Sequence, residues 1–188
     1  MGVSILDDQS FVLAGGFKKG EMVQKVSKVN VSDLTNLFSS QEEADTRMLL
    51  HAVHLASTYE RIIIRSNDTD VLVLLLYYAS KEQLGSSVYM HAGHMSQFRD
   101  RRRYIPICDI VSKVGKDICQ NLPAAHSLTG SDTTAAFFQI GKRTAYSKLA
   151  ELVKEKTSIL KTFGMSDNVT SLYHKILCQQ EDSVYKPG

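Results

Sequence analysis

IIIRSNDTDVLVLLLYY, residues 62–78, decides how this chain is read. Three isoleucines suit a strand buried on both faces, and the later leucines and valines suit a buried helix. Between the two runs stands SNDTD, with Asp68 and Asp70 one residue apart. An ionised carboxylate at such a seam is costly unless something pairs with it. Strand, acidic turn and returning helix form half of a βαβ unit. SSVYMHAG, residues 86–93, supplies the second strand.

Working outward, SSQEEADTRMLLHAVHLASTYE carries a helical period, and Ser40 with Glu43 fits an S-x-x-E capping box. SFVLAGGF and EMVQKVSKVNV read as two short strands around a Gly-Gly turn. FRDRRRY, residues 98–104, is a charged loop. A short strand and two helical pieces follow it, with Pro123 at the start of the second. Residues 142–180 are helical around a GMSDN break, and the ending EDSVYKPG is frayed. Alternating strands and helices, with strands that read as continuous apolar runs, predict an α/β fold. Its sheet is parallel, with helices on both faces, and a helical C-terminal extension follows. The core spans 10–140 and the extension 141–182.

The 188 residues, 43% hydrophobic, suffice for one packed core. A net charge of +2 confines any polyanion-binding surface to a local patch. No run reaches the ~18 apolar residues of a membrane span, so no membrane partner is expected. No signal peptide is legible at the N-terminus. Cys108, Cys119 and Cys178 are widely spaced and form no CxxC pair. These features point to an intracellular protein, a nuclear location included. Oligomeric state is not legible.

Five acidic residues carry chemistry. Glu43 and Asp45 lie in the first turn of the capped helix, Asp68 and Asp70 follow the central strand, and Asp132 lies in LTGSD. Sites in open parallel sheets form outside the carboxyl ends of the strands. A helix preceding a strand has its N-terminus at that same edge. Clustered carboxylates repel unless a hard cation joins them, which selects Mg²⁺ or Mn²⁺. Two such ions would clamp an in-line phosphoryl displacement. Each residue also has a structural reading: first-turn acids favour the helix dipole, and Asp after a strand forms turns and N-caps.

EEADTRMLLHA, SNDTDVLVLL and LTGSDTTAAFFQIGKRTA stand in the order of three blocks of the flap-endonuclease (XPG-type) 5′ nucleases. That family belongs to the PIN-like superfamily. The resemblance covers about Val12 to Leu149 and extends to multicopy proteins of undefined role with the same wording. It implies a PIN-like fold and a metal-dependent nuclease acting on nucleic acid, DNA before RNA. Glu43, Asp45, Asp68, Asp70 and Asp132 would be its catalytic and metal-binding residues, holding two divalent ions in the family and one or two here. FFQIGKRTA resembles the turn of a helix–two-turn–helix motif, with Lys142 and Arg143 as its basic residues. Gln139 stands where the pattern has glycine. The resemblance also places an acid-bearing strand before the point where this sequence starts. It therefore implies a shortened chain whose first metal site is incomplete, with Asp7 and Asp8 as turn residues.

Arg101, Arg102 and Arg103, with Arg99, suit a phosphate backbone, and Phe98 or Tyr104 suits a base; a solvated loop is the plainer role. Arg47, one turn after Glu43, can meet a phosphate or pair with Glu43. His91 and His94 lack zinc spacing, and His51 and His54 read as helix-face residues. Ser131 and Thr133 flank Asp132 without a base-positioned histidine. Two functions remain: a phosphodiesterase of the 5′-nuclease type, or a non-catalytic nucleic-acid or protein-binding module on that fold. A haloacid-dehalogenase-type phosphatase fits IIIRSNDTDVL less well, because its D-x-D strand opens the fold and a lysine motif follows.

Overall fold

The structure, a computed structural model, describes Leu6 and residues 8–39, 44–85, 87–96, 99–130 and 142–154. Ser40, Glu43, Phe98, Ser131, Asp132, Thr133, Gln139 and residues 155–182 of the expected extension lie outside them. The fold is mixed α/β, with two small sheets and five helices among the described residues. None of these helices is long and apolar enough to cross a membrane. The chain divides into two compact units.

The first unit comprises residues 1–75 and 83–107. It opens with β1 (Ser10–Ala14), β2 (Val23–Ser27) and β3 (Val31–Asp33), an antiparallel sheet in that order. The connections, 15–22 and 28–30, are too short for the dozen or more residues of a parallel crossover. In the second of them, Ser27 N–H donates to the Asn30 carbonyl (2.9 Å) and Asn30 N–H to Ser27 Oγ (3.2 Å). The strands around the Gly-Gly turn form as the sequence predicts, but their sheet is antiparallel, and β3 is an addition.

Helix α1 (Ala44–Ala56) then packs against β4 (Arg61–Arg65). Helix α2 (Thr69–Ser80) connects β4 to β5 (Ser87–Ala92), and β6 (Arg103–Pro106) closes the second sheet, ordered β4-β5-β6. β4 and β5 are parallel because a helix connects them; β5 and β6 are antiparallel, and the ten residues of their link, 93–102, are fewer than a parallel crossover needs. Among the described residues, β4–β5 is the one parallel pair of the expected sheet.

Burial in this sheet is one-sided. Ile62, Ile64, Val88, Met90 and Ala92 are buried on one face, each large side chain contributing about 1.5–3 kcal/mol. Ile63, facing the other way, is 52% exposed. The isoleucine run is an alternating strand whose second face carries Arg61 and Arg65. Helix α2 is apolar nearly all round, so Val71, Val73 and Leu75 are buried with Leu72 and Leu74 half-buried.

The second unit takes Leu76–Glu82, the end of α2 and the turn after it, together with the chain from Cys108 onward. It contains α3 (Ile107–Val114, from Cys108), α4 (Lys116–Leu128) and α5 (Lys142–Lys154), with α4 against α5. Leu76, Val111, Cys119 and Leu149 form its core, and Lys116 pairs with Glu82. Pro123 lies inside α4 and not at its start. Its ring removes one helical hydrogen bond, and the flanking turns carry the helix through. Burial pushes the Cys119 thiol up.

Candidate nucleic-acid interface at a strand-end turn

The turn between β4 and α2 is built from its own side chains. Ser66 N–H donates to the His91 carbonyl (3.2 Å), and Asp68 N–H donates to Ser66 Oγ (3.0 Å). Asp70 N–H donates to Asp68 Oδ1 (2.9 Å). Leu72 N–H reaches the Asp68 carbonyl (3.4 Å). Asp68 is therefore the N-cap of α2: its carboxylate satisfies the amide at the second helical position. Both carboxylates lie at the positive end of the helix dipole, which lowers the cost of holding them charged at the seam.

Asn67 ties this turn to the next strand. Its Oδ1 accepts from Gly93 N–H at 2.6 Å, just past the end of β5. Gly93 has φ +91°, and a Cβ there would lie 2.1 Å from the Arg101 carbonyl oxygen. Arg101 N–H donates to the His94 carbonyl (3.2 Å), and Ser96 N–H to the Arg99 carbonyl (3.0 Å). The arginine segment is thus anchored at the carboxyl edge of the parallel pair, beside the SNDTD turn.

Within it, Asp100 takes Arg102 in a fork, with Nη2 to Oδ2 at 2.7 Å and Nε to Oδ1 at 3.0 Å. The side-chain hydrogen bonds from Arg102, joined by its backbone N–H, hold the Asp100 carboxyl down at about 2. Arg101, Arg102 and Arg103 are exposed. Arg103 begins β6, so the charged loop ends one residue before it.

Arg47 has a structural task. Its Nη2 donates to the Gly20 carbonyl (2.7 Å) and the Ser39 carbonyl (2.9 Å), binding α1 to the segments that precede it. Glu43, its expected partner, lies outside the described residues. His51, further along α1, is held below the ordinary histidine value by burial first, then by His54 and Arg47. Lys142 and Arg143 are exposed in the first turn of α5, in the second unit.

Of the five expected metal ligands, Asp45, Asp68 and Asp70 are described, each half-buried at a helix start. Among the described residues no group of three or more His, Cys, Asp or Glu side chains is placed to hold a metal ion. Asp45, Asp68 and Asp70 therefore do not make a three-carboxylate set by themselves. Sequence reasoning also passed over a stack: the His91 and Tyr104 rings lie 4.7 Å apart at 17°. Alternation in RIIIR and SVYMHA was the available signal, since it puts Ile63, Tyr89 and His91 on one face. No protein-family model, curated protein or solved structure matches this chain.

Proposed function

We propose that this chain is a divalent-metal-dependent phosphodiesterase of the flap-endonuclease/PIN type, acting on nucleic acid. The observation that carries the reading is the acidic turn at the end of β4, capped by Asp68 and hydrogen-bonded through Asn67 to the edge that holds the arginine loop. On this reading β4–α2–β5 is the nucleus of a PIN-like parallel sheet. Asp68 and Asp70, with Glu43, Asp45 and Asp132, would hold Mg²⁺ or Mn²⁺, and oxygen-only donors suit such ions. The metal would supply an activated water and charge stabilisation for the leaving oxygen. Arg101 and Arg103 would meet the phosphate backbone, with Lys142 and Arg143 as further basic contacts.

A second reading, a non-catalytic nucleic-acid or protein-binding module on the same fold, is favoured by one observation. Asp68 already serves as the N-cap of α2, a role that needs no metal ion.

Asp68 allows capping and metal binding to be separated. Asn caps a helix about as well as Asp, whereas Ala costs about 1 kcal/mol. Asp68→Asn should keep the stability of the parent in urea denaturation, and Asp68→Ala should lose about that amount. Both should lose the heat of Mn²⁺ binding in calorimetry, and Asp70→Asn should lose it as well. Cleavage of a 5′-flap and of a single strand should fall with it. Unchanged Mn²⁺ binding in all three variants, or none in the parent, would reduce the turn to a cap and favour the binding module.

A further inference from the structure

We propose that the open face of the β4–β5–β6 sheet is a stacking platform for single-stranded nucleic acid. Residues in register across strands share a face, and successive residues alternate. Ile63 pairs with Tyr89, Arg65 with His91, and His91 with Tyr104. These side chains, with Arg61, therefore stand together opposite the buried isoleucines. Tyr104 is 60% exposed, Ile63 is 52% exposed, and Tyr89 and His91 are half-buried.

Three features select the occupant. The His91 and Tyr104 rings are stacked on each other at 4.7 Å, and Tyr104, at the outer end of that stack, keeps an exposed surface on which a base can continue it. Tyr89 lies two residues along the same strand, ~6.8 Å away, which lets a second base stack separately. Arg61 and Arg65 are exposed at the two ends of β4, and no residue on this face is acidic. Asp100 lies within Coulombic reach of His91, but its carboxylate is bound by Arg102. Aromatic tops between cations match bases on a phosphate backbone, and stacking tolerates any sequence. An acidic peptide would use the arginines and leave the rings without a role.

The surface shares with the proposed function only the expectation of nucleic acid; it needs no metal ion. The test is therefore run in EDTA, on the full chain, by fluorescence anisotropy. The probe is a fluorescein-labelled oligothymidylate of about a dozen nucleotides. Tyr104→Ala should weaken binding about tenfold or more, while Tyr104→Phe keeps parental affinity because the ring remains. Arg65→Gln should weaken binding and lower the salt slope by about one. Circular dichroism checks that each variant is folded, and Arg65→Gln carries the test should Tyr104→Ala not fold. Parental affinity in both Tyr104→Ala and Arg65→Gln would overturn the proposal. So would equal affinity for the matching duplex, or full competition by polyglutamate at equal charge. No Mn²⁺ binding by the parent protein, with oligothymidylate binding intact, would sink the nuclease reading and leave this one standing.

Discussion

Asp100 and Arg102 show how much a short loop does with two residues. The fork between them lowers the Asp100 carboxyl to about 2, yet both side chains are about half exposed. The pair therefore shapes the loop more than it stabilises the fold. An NMR titration of the Asp100 carboxyl carbon should give a midpoint near 2, and Arg102→Gln should raise it toward the ordinary aspartate range, the backbone N–H of residue 102 still holding it partly down. An ordinary midpoint in the parent protein would mean that the fork is open in solution. Asp68 was legible to the same depth: its spacing from Asp70 announces either an N-cap or a ligand, and the cap is visible. Of the His91–Tyr104 stack, only the face of His91 was legible. The stack joins residues from two strands, and no local pattern fixes the antiparallel register that brings them opposite one another.

Among the elements, those with strong local signals were readable. Helices α1 and α2 and strands β4 and β5 follow from apolar period and from the turn between them. Strand direction was less readable, because it depends on what the connections contain. The direct links in the N-terminal sheet and the short link before β6 both favour antiparallel pairing. The helix link before β5 gives the single parallel pair. The clearest tight point is Gly93, where the β5 end, the Asn67 side chain and the Arg101 carbonyl meet. Gly93→Ala should lose on the order of 1–3 kcal/mol from its positive φ alone, and more from the 2.1 Å overlap with backbone. Gly15 also has positive φ, at +108°, but a Cβ there meets nothing within 4 Å. Gly15→Ala should therefore be the milder change in urea denaturation. Equal losses would show that the Arg101 segment gives way freely.

For the molecule as a whole, acid is the sensitive direction. His51 is held below its ordinary 6.5, chiefly by burial, so the unfolded chain binds its proton more tightly than the folded one. Its contribution to stability is complete above pH 6.5 and is lost as pH falls through the lower folded-state value. The melting temperature should drop between pH 7 and pH 5, and His51→Gln should flatten that drop; a profile unchanged by the substitution would assign it to other groups. A net charge of +2 gives this protein little overall repulsion between copies. That gives the sequence RIIIR a second meaning. Within its three-stranded sheet β4 is an edge strand, with β5 on one side. A bare isoleucine edge is a template on which further chains can add strand by strand. Arg61 and Arg65 bracket the isoleucines as gatekeepers. Replacing both with neutral residues should make this edge more prone to pair with other copies, read as slower-sedimenting monomer giving way to aggregate over time.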